Sequence, residues 1–479
     1  MHESARGVTC GFPLRFCLRC PFGRQYIPQS CGRLSIGFKE SGMGMEAPTA
    51  SLESAKVRLD QLKSIKGQLS RQVGEARKCG ESPDGLIADL QHVSAEIKRL
   101  SKQLKKQLNE TPAKEKWTPP PIEMPLAITD MQVSGPVRVE ECTDALKSAA
   151  GAYVDQHPGA SIWHRPVISN FIESTYGHRT RYLCALDRNG RMVGVLPVVR
   201  LQSRLFGNFL VSMPYFNYGG VLADNKEVAS ILIAAADLWR KTLDSGHLEL
   251  RSGRDYGLDL PQKTDKVTFW LPLPDNSDEL WASFQPKLRS QIRRGQRELA
   301  GFTIGGPELL DEFYRVFSEN MRDLGTPVYG RIFFQNLLSS LKGHVWLVIA
   351  RIDEQAAGCA FLTSYRGRME VPWASTLRRY NHASINMIMY WRMLEFAIQQ
   401  GCEVFDFGRC SRDAGTYRFK QQWGAHPLKL YWDYVLPEGK ALPALNPDNP
   451  KFKLMIAVWQ RLPVWAANLI GPHIVKVLP

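Results

Sequence analysis

The strongest constraint on this chain is that its middle reads twice. Residues 181–200 alternate as strand, turn at Asp187-Arg-Asn-Gly190, strand, the signature of a β-hairpin. A helical stretch, Glu227 to Ser245, and a short strand, His247 to Arg251, follow. The same order returns with a hairpin over Trp346 to Tyr365, a helix over Ser384 to Gln400 and a strand from Cys402 to Gly408. Gly194 and Gly358 hold equivalent places in the hairpins, and Glu249 and Asp406 in the final strands. A repeat of about 160 residues is too long for a solenoid and fits two copies of one α/β domain.

The second copy ends in a chemically crowded stretch. Strand side chains alternate, so Asp406 faces away from Phe405 and Phe407. Gly408 permits a sharp turn or a close approach of backbone to ligand. Arg409, Arg412, Arg418 and Lys420 surround that turn. Between the copies, a helix entered near Pro286 carries Lys287, Arg289, Arg293, Arg294 and Arg297, with no acid until Glu298. Such a run is either a solvated face or a surface for an anionic donor or acceptor.

The 479 residues carry a net charge of +14, which favours anionic partners. No apolar run approaches the length of a membrane-spanning helix. The ten cysteines form no disulfide framework; the lone Cys17-x-x-Cys20 lacks a second pair, and the histidines do not cluster, so no metal is expected. Residues 1–45 have no periodicity and are expected to be disordered, or to precede the true start at Met43 or Met45. Residues 46–112 place apolar side chains at heptad positions on either side of a break at Cys79 to Gly85, which predicts an antiparallel coiled-coil hairpin. Lys98, Arg99, Lys102, Lys105 and Lys106 make its second arm basic: a solvated face, a self-association surface or a tRNA-binding arm like that of seryl-tRNA synthetases. A proline-rich linker spans 113–130. The first domain is assigned to 131–275 and the second, with the candidate site, to 276–436. The tail, 437–479, contains Trp459 and Trp465 with flanking cations; it is expected to pack back on the domain, with contact at a membrane surface as the other reading.

Three segments of the second copy, Asp406-Phe-Gly-Arg409, Gly415-Thr-Tyr-Arg-Phe-Lys420 and Gln422-Trp-Gly-Ala425, are similar to FemAB-type proteins. So are Met321-Arg-Asp-Leu-Gly-Thr-Pro-Val328, Asn386-Met-Ile-Met-Tyr-Trp391, Arg461-Leu-Pro463 and Gly471-Pro472. Together they resemble most the branch associated with PEP-CTERM/XrtA exopolysaccharide systems. The resemblance covers about 131–479 and departs at Cys410, where serine is expected. It implies an α/β (α+β) fold of two tandem GNAT-like acyltransferase domains. It implies transfer of an acyl or aminoacyl group to an amine of an envelope or exopolysaccharide-related acceptor. The cysteine usage points to a cytoplasmic protein, and the membrane reading of the tail would make it peripheral at the inner face of the membrane. Acyl-CoA or aminoacyl-tRNA is the implied co-substrate. GNAT domains cradle the CoA pyrophosphate on a glycine-rich loop ahead of a helix, but here that place reads Arg378-Arg-Tyr-Asn-His-Ala-Ser384 and, in the first copy, Leu222-Ala-Asp-Asn-Lys-Glu227, both without glycine.

Amine acylation needs proton removal, oxyanion stabilisation and alignment of two substrates. Asp406 is the candidate for orienting or deprotonating the amine and Lys420 for stabilising an oxyanion or phosphate. Arg409 and Tyr417 are candidates for positioning the acceptor. Asn386 is assigned to helix capping or donor binding, and Arg289 and Arg293 to anion binding. His164 and Glu173 are candidates for an acceptor cleft in the first copy. Two other classes stay open: a non-catalytic scaffold of a polysaccharide system, docking through the hairpin, and a tRNA-binding protein using the basic arm alone.

Overall fold

In a computed structural model of the chain, the described residues are 48–80, 82–110, 117–122, 133–204, 206–412, 414–443 and 450–478. The N-terminal extension and its cysteines lie outside them, as do 113–116 and 123–130 of the proline-rich stretch. The chain divides into two units, Met1–Ala113 and Lys114–Pro479.

The first unit contains helices α1 (Pro48–Cys79) and α2 (Asp84–Glu110), which pack on one another as a hairpin. Gly80 follows α1 with φ +74, the left-handed geometry that closes a helix. Leu62, Val73 and Leu104, all read as heptad core positions, are buried. Lys66, which the same heptad register puts one heptad before Val73 at a core position, is exposed, as a cation's hydration dictates.

The second unit opens with strand β1 (Arg138–Glu141), helices α3 (Asp144–Gln156) and α4 (Pro166–Tyr176), and strands β2 (Thr180–Leu186), β3 (Met192–Ser203), β4 (Gly207–Val211) and β5 (Leu222–Ala223). It continues with α5 (Lys226–Thr242), β6 (Leu248–Ser252) and β7 (Gln262–Lys263). The second half comprises β8 (Lys266–Pro272), α6 (Ser277–Ser283), α7 (Pro286–Glu298), β9 (Gly301–Gly305), α8 (Leu310–Leu324) and α9 (Arg331–Ser340). Then come β10 (Val345–Ile352), β11 (Gln355–Tyr365), β12 (Arg368–Thr376), α10 (Ile385–Gln399), β13 (Val404–Ser411), α11 (Gly415–Gln421), β14 (His426–Lys429) and β15 (Tyr431–Val435). Two tail helices, α12 (Pro450–Trp459) and α13 (Val464–Val475), follow. Local chemistry sets several boundaries. Pro166 and Pro286 start α4 and α7, where a missing N–H costs nothing. Asn225 caps α5, its side chain accepting from the Val228 N–H at 2.9 Å.

The fold is mixed α/β, built on two sheets. One sheet has the order β1-β2-β3-β4-β6-β15-β7, with β5 on β3; the other is β14-β8-β13-β12-β11-β10-β9. Among the described residues, parallel pairing occurs at equivalent places in the two copies. Val211 lies opposite Glu249 where β4 meets β6, and Glu370 lies opposite Asp406 where β12 meets β13. Each pairing stops there although β12 and β13 run on, and side chains meet the backbone beyond it: the Arg251 N–H donates to the Ser212 hydroxyl, and Lys420 donates to the Gly408 carbonyl. The equivalence of Gly194 and Gly358 has a packing reason. A Cβ at Gly194 would stand 2.8 Å from Leu232 and Val228 of α5, and one at Gly358 would meet Met389 of α10 at 3.2 Å.

Several features differ from the sequence expectation, among them β8, which falls in the range assigned to the first domain but pairs in the second sheet. The strand expected to end at Gly408 continues to Ser411, because a bulge between Asp406 and Arg409 absorbs the turn. And β15, assigned by sequence to the second domain, completes the first sheet by pairing with β6. One hydrophobic core consequently draws on both sheets, including Val195 and Val211 of one and Leu347 and Phe361 of the other. Trp117 also leaves the expected linker to pack against the core of the second sheet.

Candidate active site

Asp406 and Glu370 are adjacent across the parallel pair, share one face of the sheet and are buried. Buried carboxylates require donors, and the first copy supplies most of them. Its loop after β4, Ser212 to Val221, reaches across onto the second sheet. Tyr218 donates to Asp406 Oδ2, while Thr268 and the Gly408 N–H donate to Oδ1, both at 2.8 Å. Asn217 donates to Glu370 Oε1 at 2.7 Å, and Trp163 Nε1 donates to Oε2 at 2.8 Å. Phe216 stacks on Trp163 with ring centroids 4.0 Å apart. The loop is held under backbone strain: Met213 and Tyr215, neither glycine, sit at φ 50 and 78. Gly220 is required there, since a Cβ would lie 2.2 Å from the Ser252 hydroxyl.

Burial, and then the neighbouring Asp406 carboxylate, push the Glu370 carboxyl up to about 7. A group raised in the fold stabilises it fully below its unfolded value near 4.5, and that contribution disappears as pH rises through about 7. We expect the melting temperature of wild type, relative to Glu370→Gln, to fall between pH 5 and pH 8 in a fluorimetric melt. Asn217 can turn its amide to meet the new NH2, so the variant folds. Parallel curves for the two proteins would rule out the shift.

Beyond the bulge lies a cavity of about 1040 Å³. It is lined from the first sheet by Glu249, Arg251, Lys263, Trp432 and Tyr434, with His247 just ahead of β6, and from the second by Lys266, Arg409, Cys410 and Ser411, with Asp265 from the connection. The Arg251 and Arg409 guanidiniums both lie over the Trp432 indole, 4.6 and 4.9 Å from its centroid. Arg251 donates through Nε to Glu249 at 2.7 Å, and Tyr434 donates to the other Glu249 oxygen at 2.9 Å. Burial alone would raise Glu249, but Arg251 and these bonds bring it below its usual range. On both arginines, Nη1 is buried and meets no protein acceptor. Burial and the nearby Arg251 charge pull Arg409 down to about 10. Burial likewise lowers His247, which is neutral at pH 7.

The bulge brings three of the sequence-predicted residues together. Gly408 sits at φ +73, and a Cβ there would be 3.1 Å from the Val371 carbonyl. Its N–H donates to Asp406, and its carbonyl accepts from Lys420 Nζ at 2.6 Å. Lys420 also donates to the Arg409 carbonyl at 3.1 Å, and burial lowers it to about 8. Of the three, Arg409 lines the cavity. Tyr417 packs edge-on against Phe269 in the core behind the sheet. Asn386 lies in the first turn of α10, whose cap position belongs to Ser384 at φ 53, so the capping role expected for Asn386 is corrected. Arg289 and Arg293 lie on α7, which packs on α10, and Arg293 covers Trp281. His164 is buried, with its Nδ1 accepting from the Ser161 N–H at 3.0 Å, and burial drops it to about 3. Glu173 is exposed. Burial raises the Cys410 thiol, the opposite of what a nucleophile needs.

Sequence reasoning missed Glu370, Arg251, His247, Trp432 and the loop holding Asn217 and Tyr218. Glu370 was detectable as a lone acid between apolar strand residues; Arg251 and Trp432 meet only through the crossing of β15. Among the described residues, no three His, Cys, Asp or Glu side chains assemble as a metal cluster.

Residues 286–421 match the family model for an acetyltransferase (GNAT) domain. No curated protein matches this chain. Among solved structures, it is similar to FemX at 15% identity and a TM-score of 0.48, over 61% of this chain and 96% of that one. A tandem GNAT protein from the clavulanic acid biosynthesis pathway matches at 11% identity and 0.41, over 64% and 100%. L-PGS from Bacillus licheniformis matches at 12% and 0.38, over 65% and 95%.

Proposed function

We propose that this chain transfers an acyl or aminoacyl group to the amine of an anionic acceptor bound in the cavity around Trp432. With a GNAT acetyltransferase domain matched over 286–421 as the premise, one observation carries the reading. Arg251 and Arg409 each keep a buried Nη1 without a protein acceptor, side by side on one indole. A buried unpartnered guanidinium nitrogen is costly, and a phosphate or carboxylate on the acceptor satisfies both.

The amine nitrogen attacks the carbonyl carbon of the donor's thioester or ester, and the C–S or C–O bond breaks. The proton shed by the amine leaves by way of a base to the departing thiol or hydroxyl. His247 is neutral, half-buried and in the cavity wall, and we assign it that proton. Asp406 and Lys420 are assigned positioning roles: one holds the Gly408 N–H and the other the carbonyls that set the direction of Arg409. For the donor, the start of α10 is closed by α7, where a Cβ at Gly295 would lie 2.8 Å from the Ser384 carbonyl. That crowding favours a donor not gripped there by its pyrophosphate. The exposed Lys98, Arg99 and Lys102 of the hairpin suit an aminoacyl-tRNA. An envelope or polysaccharide-related amine is the acceptor class carried forward from the FemAB-like motifs.

The test presents the purified chain with acyl-CoA or aminoacyl-tRNA, and with amines that carry or lack a phosphate. Product is followed by mass. Transfer to the phosphorylated amine should be about 10- to 100-fold more efficient. Equal use of the neutral analogue, or no transfer from either donor, would refute the assignment.

A further inference from the structure

The tail does pack back on the second half, but it does so with its small residues. Ala466, Ala467, Gly471 and Val475 face inward, and Gly471 fits so tightly that a Cβ would stand 2.9 Å from the Val328 nitrogen. Asn468 donates to Ser318 at 3.4 Å, and the Leu462 carbonyl accepts from Arg322 at 2.8 Å. The large apolar residues point the other way. Leu454, Met455 and Val458 of α12 are 67%, 57% and 53% exposed, and Trp465 and Leu469 of α13 are 71% and 65% exposed. A soluble helix normally turns such residues inward, and a contiguous apolar patch at the surface marks a docking face.

We infer that this face of α12 and α13 docks on an anionic lipid bilayer. Three observations choose the lipid over other occupants. Residues 450–479 carry Lys451, Lys453, Arg461 and Lys476 and no acidic residue, so the segment that bears the apolar face has one sign of charge. The helices are 10 and 12 residues long, and no described helix is long and apolar enough to cross a membrane, so they lie on the surface rather than span it. The face is also continuous with the cavity, because Met455 of α12 and Leu478 beyond α13 are among its lining residues. Docking therefore turns the cavity mouth toward the headgroups, and an acceptor anchored in the bilayer reaches Arg251 and Arg409 without leaving it. That last consequence rests on the acyl-transfer reading; the docking does not.

Co-sedimentation of the full chain with vesicles tests it without any substrate. Phosphatidylcholine vesicles containing phosphatidylglycerol should bind the protein, and pure phosphatidylcholine at least about 10-fold less. The double substitution Trp465→Glu/Leu469→Glu should lower the anionic-vesicle partition coefficient by about 10-fold or more, with an unchanged thermal midpoint because both side chains are exposed. Absent vesicle binding, or equal binding by wild type and variant, overturns the inference. So does concentration-dependent dimerisation that the double variant abolishes, since the face would then belong to a second copy. Because no acyl transfer is measured, failure here leaves the catalytic reading to its own assay.

Discussion

Replacing Arg409 with methionine should cost roughly 10- to 100-fold in kcat/KM while leaving the protein as stable as wild type or more so. The opposite signs follow from the surroundings of the guanidinium. Burial and the Arg251 charge work against its ionised form, pulling it down to about 10, and its Nη1 has no protein acceptor. Its charge is thus held in the fold at a cost, as is common where a site is built for a ligand rather than for stability. Methionine keeps most of the stem that packs on Trp432 and removes the charge. Melts of the two proteins with and without inorganic pyrophosphate give the decisive comparison. Wild type should be stabilised by the anion, and Arg409→Met should not. A variant of full activity would remove Arg409 from the site.

Asp406 should separate structure from chemistry through a pair of substitutions. Asp406→Ala leaves the Tyr218 and Thr268 hydroxyls and the Gly408 N–H without their acceptor. Buried donors stranded together should lower unfolding stability by about 3–5 kcal/mol. Asp406→Asn should lose little. Its oxygen keeps the bonds from Thr268 and Gly408, and its NH2 can donate to the Tyr218 hydroxyl, which can turn its own hydrogen toward Thr268 at 2.9 Å. Urea unfolding measures the stability and a transfer assay the chemistry. If Asp406 acts by positioning, the asparagine variant keeps most of its turnover rate. Turnover slowed by about 100-fold or more in a folded Asp406→Asn protein would return Asp406 to the role of proton acceptor.

The readable parts of the site were those encoded by a short stretch of chain. Gly408, Asp406, Arg409 and Lys420 fall within fifteen consecutive residues, and the structure gathers them around one bulge. The unreadable parts were those on which the first copy acts on the second. Nothing local marks Tyr218 and Asn217 as donors to Asp406 and Glu370, because those contacts span 188 and 153 residues of sequence. Asn386, Arg289 and Arg293 share a chemistry with the site but belong to the layer behind the sheet, a distinction that residue type does not carry.

Sequence by itself determined the duplication, the hairpin at the N-terminal side, and the placement of glycine where helices lie on strands. Each rests on periodicity or on backbone geometry within a few residues, which any conformation of the chain must respect. Only the tertiary structure decided that β15 crosses to the first sheet. That crossing places Trp432 against both Arg251 and Arg409, and converts the ends of two separate strands into one cavity. The reason is physical: a five-residue strand pairs equally well with any free edge, and the edge it takes is set by packing across the whole core.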